Sequence, residues 1–222
     1  MEKLEIACFN AQSAVIAQQS GADRIELCDK IKEGGTTPDF EITRQTRERL
    51  TIPLYVMIRP RGGNFVYSEE EFQLMKSEIQ RFKTIGVDGF VFGILNDDKT
   101  INVPQNSELV EFARPFPCTF HRAFDEVQNV FESLEAVIQC GFSTLLTSGT
   151  MPNVIEGISV LQQLVVKAKN RITIMPGGGL RSGNIKIIQQ QTNAGFYHSS
   201  AITDGSETAN SDEVKALKSH LL

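Results

Sequence analysis

The chain has 222 residues, of which 41% are hydrophobic and 22% are charged, and its formal net charge at pH 7 is −5. This composition is that of an ordinary globular domain, and the acidic balance argues against a nucleic-acid backbone or an anionic membrane as the main partner, because both attract clustered Lys and Arg. No stretch of about 20 apolar residues occurs, so we expect no membrane-spanning helix.

The N-terminal residues and the cysteines indicate a cytosolic protein. The first residues lead directly into a strand pattern, without the charged and apolar regions of a secretory leader. The four cysteines, at positions 8, 28, 118 and 140, are scattered and form no CxxC motif. A chain of this length folds without disulfides, so we expect reduced thiols.

Strand and helix patterns alternate along the whole chain. Strands are predicted over residues 4–8, 24–28, 54–58, 89–93, 118–121, 143–147, 171–175 and 195–198. Helices are predicted over residues 10–19, 68–85, 106–113, 130–140, 154–169, 181–191 and 212–222. One further helix is predicted to follow the glycine-rich loop at residues 33–38 and to end near residue 50. Ser68 with Glu71 three residues later forms a capping box for the third helix.

Eight strand-helix units predict an α/β fold of the TIM type, a (βα)8 barrel that occupies residues 1–222 as a single domain. Strands separated by helices are expected to be parallel, and eight such units fit a closed barrel. An open doubly wound sheet is the alternative. The barrel is favoured because the last unit needs no extra domain, and because the loops after strands seven and eight resemble a barrel phosphate site.

In such a barrel, the loops that follow the strands build the functional site. Polar residues gather there: Arg59, Arg61, His121, Arg122, Asp125, Thr147, Ser148, Arg181, His198, Ser199 and Ser200. A single arginine at a strand end is usually a structural hydrogen-bond donor. Four arginines on one rim repel each other unless acids or an anionic ligand lie between them. We therefore expect Arg59, Arg61, Arg122 and Arg181 to bind a small anion, together with Ser148 and His198.

Three consecutive glycines, Gly177, Gly178 and Gly179, follow the seventh strand. Between a strand and a helix, such a run leaves backbone N–H groups free to point at an anion. Barrels often bind phosphate at this position. The alternative is a flexible turn that binds nothing.

Glu26, His121 and Asp125 are the candidate catalytic residues. A histidine near a carboxylate can transfer protons around neutral pH, although such a histidine can equally be a hydrogen-bonded residue of the rim. Carboxylates on barrel strands are costly unless they are paired. Purely structural pairs of Glu26 with Arg59, and of Glu5 with Arg24 or His121, are therefore the alternative.

Cys8 and Cys28 end the first two strands, which are neighbours in a barrel. Two thiolates within reach of each other suit a soft ion such as Cu(I). The alternative is that both are buried as small apolar residues. Cys118 starts its strand and Cys140 ends a helix, so both are interpreted as structural.

Six sequence blocks resemble the copper homeostasis family CutC. They are residues 21–28 (GADRIELC), 33–38 (EGGTTP), 57–63 (MIRPRGG), 119–125 (TFHRAFD), 146–149 (LTSG) and 174–179 (IMPGGG). The resemblance covers nearly the whole chain in the same order. It implies a TIM-type barrel, a cytoplasmic homodimer or larger homo-oligomer, and copper(I) binding at Cys8 and Cys28.

Two functions follow from these observations. The first is a cytosolic copper-binding protein that uses Cys8 and Cys28. The second is an enzyme that acts on a small anionic or phosphorylated metabolite, with Glu26 or His121 as acid or base. In the second case Arg59, Arg61 and Arg122 would hold the anion, and the glycine loop would hold a phosphate.

Overall fold

The computed structural model of the protein describes residues 2–222, in which eight strands alternate with helices. The strands are β1 (Lys3–Cys8), β2 (Arg24–Leu27), β3 (Leu54–Met57), β4 (Gly89–Phe92), β5 (Cys118–Phe120), β6 (Thr144–Thr147), β7 (Thr173–Pro176) and β8 (Phe196–Ser199). The helices are α1 (Ala11–Gln19), α2 (Phe40–Arg49), α3 (Glu69–Lys83), α4 (Val103–Ala113), α5 (Val130–Gln139), α6 (Ile158–Ala168), α7 (Ile185–Thr192) and α8 (Ser211–Ser219). Two short 3₁₀ helices cover Ile31–Glu33 and Arg122–Glu126.

The strands form a TIM-type barrel, as predicted, and not an open doubly wound sheet. All ladders are parallel, each strand from β1 to β6 pairs with the next, and β8 pairs with β1. β7 and β8 lie side by side and nearly close the barrel, but within residues 2–222 no ladder joins them. The ends of all eight strands are therefore brought to one mouth.

The alternation of side chains along each strand separates two buried regions. Leu4, Ile6 and Cys8 of β1 belong to the large core that packs the strands against the helices. Ala7 points to the other face and borders a cavity inside the mouth. Because successive side chains of a strand point to opposite faces, a shift of one residue decides whether a group belongs to the core or to the site.

Three helices begin later or earlier than their sequence patterns predict. α4 begins at Val103 because the Asn102 side chain accepts a hydrogen bond from the Gln105 N–H, and Pro104 suits a first turn. α6 and α7 begin four residues later than predicted, after turns that belong to the mouth of the barrel. The capping box of α3 is confirmed, since Ser68 and Glu71 exchange both hydrogen bonds.

Among residues 2–222, no helix combines the length and the apolar character that crossing a bilayer would require.

Candidate functional site

The C-terminal ends of the strands surround a cavity of about 230 Å³. Most of the predicted site residues line it: Glu26, Cys28, Arg59, His121, Arg122, Gly178, Gly179, Arg181 and His198. The sequence prediction missed Met57 and Phe65, which also line the cavity. Met57 could have been found, because it lies at the end of β3, two residues after Tyr55 and on the same face.

A buried charge network lies below the cavity and begins at Glu5, which is fully inaccessible to solvent. The Arg24 Nε donates a hydrogen bond to one oxygen of Glu5 at 2.5 Å, and His198 Nδ1 lies 2.7 Å from the other. Burial opposes the charge of Glu5, but Arg24 and His198 together lower its pKa below the ordinary value. The predicted pair of Glu5 with Arg24 is confirmed, whereas His198 and not His121 is the second partner.

Glu26 lies above this network, at the floor of the cavity. One of its oxygens accepts a hydrogen bond from the Cys28 thiol at 3.5 Å and lies 3.9 Å from His198 Nε2, while the other has no partner among residues 2–222. Burial raises the pKa of Glu26 to about 7, against the opposing effect of His198. Burial lowers the pKa of His198, but the neighbouring Glu26 and Glu5 raise it above the ordinary value.

The carboxylates of Glu5 and Glu26 and the imidazole of His198 are close enough to share a metal ion, since one ligand atom from each lies within 4.8 Å of the others. The guanidinium of Arg24 already occupies one oxygen of Glu5. A metal ion there would meet a buried positive charge, so we interpret the cluster as a hydrogen-bonded charge network.

Arg59 follows β3, and its side chain connects the loop after β2 with the loop after β3. Its guanidinium donates to the carbonyl oxygens of Glu33, Gly35 and Gly63 and lies 4.7 Å from the ring of Phe65. The predicted pair of Arg59 with Glu26 is therefore wrong. Arg59 is only 4% exposed, and its Nε has no hydrogen-bond partner among residues 2–222.

His121 follows β5 and is almost completely buried. Its Nδ1 accepts a hydrogen bond from the Ala123 N–H at 3.3 Å, and its Nε2 has no partner within residues 2–222. Burial and the positive charge of Arg59 lower the pKa of His121 to about 3. The ring is therefore neutral at physiological pH. Because Nδ1 accepts a hydrogen bond and so carries no proton, the single ring proton lies on Nε2.

Asp125, a predicted catalytic residue, does not line the cavity. One of its oxygens accepts hydrogen bonds from the Thr147 hydroxyl and from the N–H groups of Ser148 and Thr150, and the other accepts from Arg122 Nε at 2.7 Å. The second contact of Arg122 is with the Ser148 hydroxyl, 3.2 Å away. Asp125 thus ties the loop after β6 to Arg122.

Arg61 also lies outside the cavity wall. It donates to Glu71 on α3 at 2.6 Å and to the Val66 carbonyl at 2.8 Å. Arg61 therefore fastens the loop after β3 to a helix and contributes no group to the cavity.

The glycine loop after β7 brings its backbone close to the cavity. Gly177 lies outside the cavity wall, and its N–H bonds to the Thr147 carbonyl; a Cβ there would lie 2.5 Å from the Leu146 side chain. Gly178 has a φ of +108°, and a Cβ there would lie 3.0 Å from the Arg122 guanidinium. Arg181 joins this loop to the end of β8 by a hydrogen bond to Ser199 Oγ, and to the loop after β8 by one to the Ile202 carbonyl.

The two cysteines predicted to share a metal lie on opposite faces of the barrel wall. The register pairs Cys8 with Leu27, so Cys28 is one position further along. Cys8 packs in the helix-facing core, where burial raises its thiol pKa to about 12. Cys28 packs with Met57 inside the barrel, where burial and Glu26 raise its thiol pKa well above the ordinary value. The structure brings Cys28, but not Cys8, to the cavity.

Comparison with known proteins assigns the chain to a protein family. The sequence profile described as the CutC family matches residues 2–203. The chain belongs to the CutC family. This confirms the resemblance carried by the six sequence blocks.

Individual CutC proteins match the chain over most of its length. The copper homeostasis protein cutC homolog of Homo sapiens is 42% identical over 198 residues, which cover 89% of this chain and 72% of that protein. A CutC family protein of Mesorhizobium japonicum is 41% identical over 201 residues, or 90% and 78% of the two chains. The solved structure of a CutC protein from Streptococcus agalactiae matches with a TM-score of 0.87 and 33% identity, covering 91% of this chain and 100% of that one.

Proposed function

We propose that this CutC family member acts in copper homeostasis in the cytosol, and that it holds Cu(I) at the mouth of the barrel with the Cys28 sulfur as the main ligand. Its membership of the family and the names of its relatives support the copper role. Its four cysteines are free thiols, which is consistent with a reducing compartment. The homo-oligomeric state implied by the family stays a prediction.

The observation that carries the proposal is that two sulfur-bearing side chains meet in the cavity wall. Cys28 and Met57 pack together there. Gly35 lies against both, since a Cβ at this position would be 3.4 Å from Cys28 Sγ and 3.7 Å from Met57 Cε. Thiolate and thioether are the soft ligands that favour Cu(I) over harder ions.

This site differs from the pair of Cys8 and Cys28 predicted from the sequence, because only Cys28 borders the cavity. Cys8 lies behind the wall, where its thiol contacts the Ile6 carbonyl at 3.6 Å. A site made of both sulfurs would require the end of β1 to rearrange. The contribution of Cys8 is therefore part of the test.

The test is an anaerobic Cu(I) competition titration of the reduced protein beside four variants. We expect Cys28→Ser to abolish tight binding and Met57→Leu to weaken it, because each removes a soft ligand. Cys118→Ser, which alters a buried thiol at the opposite end of the barrel, is the matched control and should bind like the wild type. Circular dichroism confirms that each variant is folded.

Cys8→Ser distinguishes the two thiol arrangements. Wild-type affinity in this variant supports the site at the mouth, whereas a loss equal to that of Cys28→Ser supports a site shared by both sulfurs. Tight binding that persists in Cys28→Ser would refute both arrangements.

A further inference from the structure

The arginines around the mouth differ in whether an acid neutralises them. Arg61 is paired with Glu71, and Arg122 is paired with Asp125. Arg59 and Arg181 bond only to carbonyl and hydroxyl oxygens and have no carboxylate partner among residues 2–222. Both of these unpaired cations line the cavity. The cavity wall therefore carries two positive charges to which no carboxylate of residues 2–222 is directly bonded.

Hydrogen-bond donors without partners lie on the same wall. Arg59 Nε and His121 Nε2 are buried and bond to nothing among residues 2–222. Both residues border the cavity, and each is at least nine-tenths buried. Buried polar groups normally have a hydrogen-bond partner, and a buried group without one destabilises the folded protein. Two such donors beside one cavity indicate a ligand with acceptor atoms.

The glycine loop adds main-chain donors to this wall. Gly178 and Gly179 line the cavity, and within residues 2–222 their N–H groups donate no hydrogen bond. The left-handed backbone of Gly178, together with its contact with Arg122, excludes a larger residue there. Successive N–H groups freed in this way form a concave surface suited to an anion.

The opposite side of the cavity offers an acceptor instead. Glu26 lines the cavity, and one of its carboxyl oxygens has no partner among residues 2–222. A ligand that places an oxyanion on Arg59 and His121 therefore has room for a hydroxyl group directed at Glu26. The volume of about 230 Å³ restricts the ligand to a small metabolite.

We infer that the mouth of the barrel binds a small hydroxylated metabolite through a carboxylate or phosphate group, which is held by Arg59, His121, Arg181 and the N–H groups of Gly178 and Gly179. This site lies beside the proposed copper site and does not depend on it. Charge-assisted hydrogen bonds to an oxyanion are among the stronger polar interactions in proteins.

The test is isothermal titration calorimetry of the copper-free full-length protein with inorganic phosphate and with malonate, using glycerol as the uncharged control. We expect an anion to bind at concentrations up to about 10 mM, a modest affinity for a fragment of the true ligand. Binding of phosphate alone identifies a phosphate group, binding of malonate alone a carboxylate, and binding of both a site that accepts either. No binding of either anion to the folded wild type would overturn the inference.

Variants locate the site. Arg59→Met should weaken binding about tenfold, because it removes a buried cation from the cavity wall. Arg61→Met is the matched control, since Arg61 is paired with Glu71 outside the cavity, and it should bind within about twofold of the wild type. An equal loss in both variants would contradict the assignment.

His121→Phe provides a second variant that keeps the ring against Phe65, and therefore remains informative if Arg59→Met does not fold. It removes the Nε2 donor without removing charge. We expect binding to weaken several-fold, and unchanged binding would exclude His121 from the site. Because copper is absent throughout, failure of the copper proposal leaves this result unaffected.

Discussion

Arg24 on β2 lies directly opposite Glu5 on β1 in the barrel register, and its guanidinium, which is almost completely buried, bonds to the fully buried Glu5 carboxylate. The same guanidinium lies 4.0 Å from the centre of the Tyr55 ring and 4.2 Å from that of Phe196. The pair thus fills the barrel below the cavity and fixes the position of His198. Its integrity decides whether the floor of the site is correctly built.

Arg24→Met is expected to destabilise the protein by roughly 3–5 kcal/mol, because it leaves the Glu5 carboxylate buried without its main partner. Urea denaturation at pH 7 measures the change. The double variant Glu5→Gln/Arg24→Met should recover part of the loss, since the carboxylate that lost its partner is then replaced by a neutral amide. A single variant as stable as the wild type would show that Glu5 is neutral in the folded protein.

Asp125→Ala is expected to destabilise the protein by about 2–4 kcal/mol, since the N–H groups of Ser148 and Thr150 and the Arg122 guanidinium lose their acceptor. Urea denaturation again gives the value. Glu126→Ala, which alters a neighbouring acid with one long surface contact to Lys99, should remain close to the wild type. Similar losses in the two variants would argue against Asp125 as the anchor of this loop.

The stability of the protein should fall as the pH decreases from about 6.5 towards 3, in part because of His121. Its pKa is about 3 in the folded protein and 6.5 for an ordinary histidine, so the unfolded chain binds the extra proton within this window. At pH 4 the group should cost about 3 kcal/mol relative to pH 7.

His121→Phe isolates this contribution from that of the carboxylates, which also titrate in acid. We expect the variant to lose less stability than the wild type between pH 7 and pH 4, as measured by urea denaturation at both values. Parallel losses in the two proteins would show that the folded pKa of His121 is not depressed.

Gly157→Ala should destabilise the protein by about 1–3 kcal/mol or more, because the new Cβ would lie only 1.7 Å from the Ser148 carbonyl oxygen. This close approach positions the start of α6 against the loop after β6. Gly183→Ala is the matched control, since a Cβ there meets no atom within 4 Å. Thermal unfolding of the two variants should separate them clearly, and equal midpoints would contradict the backbone contact.

The barrel could be predicted from the sequence because the alternation of strand and helix patterns depends on local residue order. The starts of α6 and α7 could not, because the residues before them form turns at the mouth that combine local side-chain caps with hydrogen bonds to distant parts of the chain. Arg181 illustrates this. The sequence around it has a helical pattern, but its N–H donates a hydrogen bond to the Asn184 side chain. Its guanidinium donates a hydrogen bond to Ser199 of β8.

The sequence predicted where the candidate site lies, but not how all of its side chains are paired. The prediction placed Cys8 and Cys28 together because both end neighbouring strands, and it overlooked that Cys8 shares its face with Leu4 and Ile6. Alternation alone would have assigned Cys8 to the core. The pairing of Arg59 depends instead on how a glycine-rich loop folds over it, and no local pattern in the sequence specifies that.

The missing ladder between β7 and β8 makes the barrel wall a curled sheet whose two edges meet at a single join. Seven ladders hold the remainder of the wall, while at the mouth this join is bridged by the hydrogen bonds of Arg181 to Ser199 and Ile202. Within residues 2–222 no backbone–backbone hydrogen bond crosses this join, so side-chain contacts hold it together. The wall is therefore held less tightly at this join than elsewhere, and Arg181, one of the residues that bridge it, also lines the cavity.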